Sequence, residues 1–307
     1  MKQIHLEYSD MMVNLPSIDY FIDRIKAGDN FQFLRVNHAI FDIIYASYNM
    51  YGVFDYDGFK KDIEAKNYKL IAQRCYSHSN KEYNKSWELW HNNSKELVEK
   101  FQIFLKVFNE YKDISSKFEI GVSLGVGLNQ FWGIFPENHP HQIARQVAFR
   151  TFYEKSKYDY NYSGVLKYFS INNSIFKIFD VLNECNYHAV FVGPDYMRLY
   201  EDKFNINNFH HINIPTNGAI EYVDEYVDAV KSIAKTTRTI VFYSIGHVLT
   251  FYMANALKDE NLIGIDVGRS FDIVIKDKMD TEETFVSYWL NEDIGRLRNH
   301  VNTIQNG

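Results

Sequence analysis

Apolar and polar positions along the chain fall into blocks whose period shifts between two and about 3.6, the marks of strand and helix. The clearest block spans residues 239–268, TIVFYSIGHVLTFYMANALKDENLIGIDVG. A β-branched and aromatic run at 239–243 is broken by Ser244-Ile245-Gly246. Helical apolar spacing follows over 247–257, and a second apolar run at 262–265 closes at Asp266-Val267-Gly268. The spacing predicts strand, turn, helix, strand. In an open parallel sheet such turns lie at the carboxyl ends of the strands, where ligands bind, so residues 244–247 and 266–268 are expected to face one crevice.

The same rhythm extends back through the C-terminal half. Residues 175–182 read as a helix, 189–192 as a strand ending at Gly193-Pro194, 209–214 as a strand ending at Pro215, and 219–233 as a helix. In the N-terminal half, apolar residues at Ile18, Phe21, Ile22 and Ile25 predict a short helix, with Ser17 as its N-cap and Gly28 as its stop. Residues 31–36 and 118–124 read as strands, 39–48 as a helix, and the tyrosine-rich stretch 153–168 as a connection. Residues 57–111 are helical and highly charged, with Leu97, Phe101, Phe104, Leu105 and Phe108 on one stripe, and they read as an insertion. Strands separated by helices imply a parallel sheet covered on both faces. The expectation is a single α/β domain over 1–307, Rossmann-like and mostly parallel with flanking helices, carrying a helical insertion at 57–111 in its N-terminal half.

Composition narrows this picture. Lys plus Arg is 33 against 39 Asp plus Glu, a net charge of −6, whereas a protein that holds nucleic acid by phosphate neutralisation is normally basic. Only a local basic groove stays open to DNA. The 23 Tyr and 24 Phe bring aromatic residues to 17 %, which fits an A/T-biased coding sequence better than an aromatic ligand platform. Cys75 and Cys185 lack metal-ligand spacing and read as free thiols in a reducing compartment, so the cytoplasm is the expected location. Residues 1–14 place acidic and polar side chains where a signal peptide needs an apolar core. The 18 residues 240–257 are interrupted by Ser244, Gly246, His247 and Asn255, while a bilayer crossing needs ~20 predominantly apolar residues. No membrane span is expected.

Candidate chemistry gathers at the turns. Gly193, Gly246 and Gly268 each follow a strand, where a missing side chain either admits a ligand to the backbone or serves turn geometry. The amides that open the helix after Gly246 suit an anionic phosphate. Ser244 offers a hydroxyl, and His247 is either a ligand contact or a satisfied helix-terminal imidazole. Asp266 is placed to bond a ribose or acceptor hydroxyl, to hold a metal, or to cap its turn. Away from these turns, Glu137, His139, His141 and Arg145 lie within nine positions of one another and form a candidate base, metal site or phosphate clamp. The two histidines are too close for an ordinary helical metal pair, which disfavours zinc. Gly125-Val126-Gly127 has Gln130 where a dinucleotide fingerprint has its third glycine, which disfavours a Rossmann oxidoreductase. Trp87, Trp90 and His91 read as helix packing.

Four segments taken in order resemble the GT-D type glycosyltransferases. They are VFVGPD at 190–195, INIPTNGAIEYVDEYVDAV at 212–230, FYSIGHVLTFYMANAL at 242–257 and IGIDVGRSFDI at 263–273. They match the family's Gly-ending strand, Pro-then-Asn turn, Ser-x-Gly turn before a helix, and Asp-x-Gly turn. The resemblance implies transfer of a sugar from a nucleotide-sugar donor, expected to be a UDP-sugar, to an acceptor hydroxyl. Under it Asn217 is placed to read the uracil or ribose, although Asn217-Gly218 is also a common turn pair. The partner is then an acceptor glycan or, in a bacteriophage-type enzyme, a hydroxymethylated DNA base. A noncatalytic nucleotide-sugar-binding module is the other alternative.

A fifth match departs from the family. Relatives carry a strand ending in Arg, an aromatic residue and then Gly-Asp-Gly-Glu, whose two carboxylates bind a metal. This chain keeps Arg35 in FQFLRVNHAIFD, but Asn37, His38, Ala39 and Ile40 occupy the next four places. Hard cations such as Mg²⁺ or Mn²⁺ need oxygen ligands of that kind. Either Arg35, His38 and turn amides neutralise the leaving diphosphate, or another carboxylate, Asp42 or Asp266, holds the ion. Arg35, His38, Asp42 and Asp266 are therefore the candidate catalytic residues, with Gly193, Asn217, Ser244, Gly246, His247 and Gly268 as the donor-binding set. Asp42, Glu137, His139 and Asp266 are the candidate bases.

Overall fold

A computed structural model of the chain describes residues 2–6, 11–36, 118–122, 160–162, 164–215 and 219–275. The expected insertion at 57–111 and the expected helix at 39–48 lie outside these residues.

The described elements begin with β1 (Lys2–Leu6), β2 (Met11–Leu15), α1 (Ile18–Ala27), β3 (Gln32–Val36), β4 (Phe118–Val122) and β5 (Tyr160–Tyr162). They continue with α2 (Val165–Ile171), α3 (Phe176–Glu184), β6 (His188–Gly193), α4 (Leu199–Phe204), β7 (Phe209–Asn213) and α5 (Val223–Ala234). The last are β8 (Thr239–Tyr243), α6 (His247–Ala256), β9 (Leu262–Asp266) and the single turn α7 (Asp272–Ile275). The strands form one sheet in the order β1-β2-β5-β4-β3-β9-β8-β6-β7. Only the β1/β2 pair is antiparallel; the other seven pairings are parallel. The fold is thus the expected α/β class with a mostly parallel sheet.

Local sequence explains the ends of α1. The Ser17 hydroxyl accepts the Tyr20 N–H at 3.2 Å, satisfying one orphan amide of the first turn. Gly28 stops the helix at φ 75°, where its own N–H reaches back to the carbonyls of Arg24 and Ile25. Glycine meets no steric penalty there.

β6, β8 and β9 are apolar at nearly every position because helices cover both faces. On one face the filling is aromatic. Phe179 of α3 stacks on Phe204 of α4 at 3.9 Å, Phe191 of β6 stacks on Phe242 of β8 at 4.8 Å, and Phe271 meets Phe179 edge-on at 5.8 Å. Farther along the sheet, Phe21 of α1 packs edge-on against Phe33 of β3 and Phe169 of α2. On the other face α5 and α6 lay Val223, Val227, Val230, Leu249 and Met253 against Val190, Val192, Val241 and Tyr243. Alternation along β6 puts Phe191 in one layer and its valine neighbours in the other. Fully burying one such side chain contributes roughly 1.5–3 kcal/mol, so packing accounts for the buried phenylalanines of these layers.

Three stretches depart from the sequence expectation. The 153–168 stretch, expected as a connection, contains β5 and the start of α2. Residues 2–6 and 11–15, read only for the absence of an apolar signal core, pair as a hairpin. The 3₁₀ turn Asp195–Arg198 and α4 fill the crossover from β6 to β7. Each of these elements is seven residues or shorter, too short for periodicity to register.

At the outer pair, His188 of β6 and His210 of β7 share a hydrogen bond between Nδ1 and Nε2 at 2.9 Å with their rings stacked. Burial, and secondarily His188, hold the His210 imidazole below its usual value. A base whose folded pKa is depressed binds fewer protons folded than unfolded, so stability present above the unfolded value of ~6.5 is lost as the pH falls through it. Urea unfolding of the wild type is expected to weaken from pH 7.5 to 5.5, and His210→Gln is expected to show a smaller drop. An equal drop in both proteins would refute this assignment.

Candidate functional site

Four adjacent strands, β3, β9, β8 and β6, end at one rim, and their carboxyl ends bring Arg35, Asp266, Tyr243 and Gly193 into a row. Neighbouring strands lie ≈ 4.8 Å apart, so the row spans about 14 Å. The chain leaves β6 toward the edge strand β7 but leaves β8 toward β9, in the opposite direction. Diverging exits of this kind open a crevice at the strand ends.

The row is organised by one ion pair. Arg35 Nη2 donates to Asp266 Oδ1 at 2.9 Å, and the Arg35 backbone N–H donates to Asp266 Oδ2 at 3.3 Å. Asp266 is 2 % exposed and the Arg35 side chain 14 %, so the pair is largely withdrawn from water. Both carboxylate oxygens are engaged by Arg35. Arg35 Nε is buried and finds no partner among the described residues.

Gly268 makes room for this arrangement. A Cβ at position 268 would lie 1.8 Å from Arg35 Nη2, and the backbone there is at φ 46°, in the left-handed region that L side chains avoid. Its amide and that of Val267 both donate to the Tyr243 carbonyl at 3.0 Å, which ties the exit of β9 to the end of β8. Gly268 is therefore a close-approach glycine, and what approaches is the Arg35 guanidinium.

Beneath the rim, Tyr243 Oη donates to Gln32 Oε1 at 3.3 Å, and Gln32 lies over Gly264, where a Cβ would meet its Oε1 at 1.7 Å. Burial, and then the Asp266 charge, push the Tyr243 hydroxyl well above its usual value, so it acts only as a neutral donor.

The other predicted glycines differ from one another. Gly193 is packed, because a Cβ there would meet Met197 Sδ at 2.2 Å, and its carbonyl accepts the Ile214 N–H at 3.0 Å. Gly246 is exposed at φ 79°, and a Cβ there would meet nothing within 4 Å. It precedes α6 without a side-chain cap, so the first amides of that helix emerge at an open position on the rim. His247 is the first residue of α6. Ser244 is half-buried at the end of β8, its N–H donating to the Val192 carbonyl at 2.8 Å. His38, Asp42, Asn217, Glu137, His139, His141 and Arg145 lie outside the described residues.

Sequence reasoning missed a second cluster at this rim. Asp272, fully buried, accepts from Tyr200 Oη at 2.8 Å, Tyr196 Oη at 3.1 Å and Arg269 Nε at 2.9 Å. Burial raises its pKa, while Arg269 and then the tyrosines pull it the other way. The Arg-Ser-Phe-Asp spacing at 269–272 was the available signal, a charge pair one helical turn apart. Gln32 left a fainter trace in Gly264, a lone glycine inside an apolar strand that marks a close approach.

The divalent ion that the resemblance implies does not suit the described donors. Asp266 spends both oxygens on Arg35, and no group of three or more His, Cys, Asp or Glu gathers among the described residues. Among the same residues no helix is long and apolar enough to cross a membrane.

No family model and no curated protein match the chain. Among solved structures it is similar to a selenomethionine-substituted structure of domain of unknown function 1792, at 13 % identity and a TM-score of 0.49, covering 87 % of this chain and 82 % of that one.

The packing at Gly268 is open to test. Gly268→Ala drives a methyl group into the guanidinium and is expected to cost about 1–3 kcal/mol in urea unfolding. Adding Arg35→Ala removes the obstruction, so the double variant is expected to lose less than the sum of the singles. Strict additivity would show that the two residues do not meet.

Proposed function

We propose that the protein is a glycosyltransferase that takes a sugar from a nucleotide-sugar donor, a UDP-sugar, and passes it to an acceptor hydroxyl, in the first instance that of a glycan. The observation that carries this reading is the Arg35 guanidinium, held by Asp266 over Gly268 at the carboxyl rim of a parallel sheet, with β9 lying between its strand and β8, which leads into the open start of α6 at Gly246. The ordered turn motifs of the C-terminal half support the same reading.

Sugar transfer breaks the bond between the anomeric carbon and a diphosphate oxygen and forms one from that carbon to the acceptor oxygen. The acceptor proton passes to a base or to the departing diphosphate. What the chain has to supply is stabilisation of the growing negative charge on the leaving group, by donors already aimed at it. Arg35 offers the charge and planar donors, and the amides of α6 add the positive end of a helix. Ser244, two residues before Gly246 at the end of β8, is the neutral donor of the set. Asp266 holds Arg35 and is not proposed as the base; Asp42, Glu137 and His139 are the remaining candidates.

A thermal-shift and hydrolysis panel of nucleotide sugars tests the reading. A UDP-sugar at 100-fold over its Kd is expected to add about 2.7 kcal/mol of stability, visible as a raised Tm, with UDP released slowly in the absence of acceptor. Arg35→Ala is expected to lose both effects. If no donor raises the Tm, the transferase reading fails; a raised Tm with no UDP released and no sugar transferred reduces the protein to a binding module.

A further inference from the structure

Arg269 follows Gly268 directly, so a second guanidinium leaves the chain beside the one that Arg35 lays against that glycine. Its side chain is 57 % exposed, while its carboxylate partner Asp272 is wholly buried. The contact runs through Nε alone, at 2.9 Å to Asp272 Oδ2. The terminal Nη groups are not used in it. This is an unusual way to place an arginine, since one fixed point near the end of a flexible stem restrains the head group while its fork of donors stays available. Asp272 is itself fixed by the Tyr196 and Tyr200 hydroxyls, which stand just beyond the exit of β6. The cluster thus links the exits of β6 and β9, the outer members of the three strands whose ends form the crevice.

We propose that Arg269 is the second cationic contact for the anionic part of the ligand, a diphosphate, and that Asp272 is the positioning residue that aims it. This rests on the proposed nucleotide-sugar reading for the nature of the ligand and not for the geometry of the pair. A pyrophosphate group carries two phosphoryl units, and a guanidinium laid against Gly268 together with one borne by the next residue offers it two sets of planar donors. Arg35 has its charge balanced by Asp266 inside the fold. Arg269, more exposed, supplies attraction at the mouth of the crevice, and its contribution is the more sensitive to salt.

A merely structural role would make Arg269 the counter-ion that keeps Asp272 satisfied. The two roles separate in binding. Removing the charge from position 269 leaves Asp272 with two hydroxyl donors, in a site whose burial already raises its pKa, so Arg269→Gln is expected to stay folded.

The experiment is calorimetric titration of the full chain with pyrophosphate, UDP and uridine, at low and at physiological salt, with urea unfolding as the check on the fold. Against wild type, Arg269→Gln is expected to bind UDP and pyrophosphate about tenfold more weakly, to show a flatter salt dependence, and to bind uridine unchanged. Arg269→Lys, which keeps the charge but not the fork, is expected to fall between them. Should Arg269→Gln fail to fold, the comparison of Arg269→Lys with wild type decides in its place. Equal UDP affinity in wild type and the variant overturns the inference while leaving the nucleotide-sugar reading intact. Arg269-dependent binding of pyrophosphate without binding of UDP keeps the inference and removes that reading; if wild type binds neither anion, both fall.

Discussion

The sheet closes around the contact between Arg35 and Asp266. These residues are 231 positions apart in the chain and sit on β3 and β9, the two strands at which the N-terminal and C-terminal halves of the sheet meet. The ladder between β3 and β9 registers only Gln32 with Gly264 and Phe33 with Ile265, a short pairing for so central a seam. Beyond that pairing, the two hydrogen bonds from Arg35 to Asp266 continue the connection as far as the rim. Below it, the Gln32 amide lies on Gly264 and receives the Tyr243 hydroxyl. The seam is therefore polar at two levels, next to the apolar strands β8 and β6.

Polar groups at such depth carry a cost that shapes their neighbours. A buried pair gains little over a hydrophobic isostere, yet removing one partner costs about 3–5 kcal/mol because the other charge is left uncompensated. Arg35 and Asp266 consequently constrain each other, and the constraint extends to Gly268, whose lack of a side chain is the space the guanidinium occupies. Fixing an arginine in this way spends its entropy at folding, before any ligand arrives. That is the property a site for developing negative charge needs. The same logic recurs one residue on, where buried Asp272 restrains Arg269.

The sequence made the C-terminal half legible because its elements are long, apolar and punctuated by glycine and proline. Thr239–Tyr243, His247–Ala256 and Leu262–Asp266 fall where their periodicity places them. The α/β class followed from that rhythm. What was not legible is short or nonlocal. Tyr160–Tyr162 is a strand only because β2 and β4 flank it, and no pattern within three residues can announce that. At the site, strand-end position identified Arg35 and Asp266 separately, but nothing in the order of residues says that they bond. Nor could it separate the glycines: Gly193 accommodates Met197, Gly268 accommodates Arg35, and Gly246 alone stands open.

That division among the glycines bears on how the rim can be used. Gly193 is closed by its own chain, so the β6 exit offers a wall instead of an amide. At Gly268 the amide is spent on the Tyr243 carbonyl, and the surface presented there is guanidinium. Only at Gly246, with the uncapped start of α6 behind it, is backbone left to donate. An anion lying along the rim thus meets a helix terminus at one end and arginine at the other, with the β9 exit between them. An anion with charge at two separated points engages both ends, whereas a compact one such as free phosphate is satisfied by one end alone.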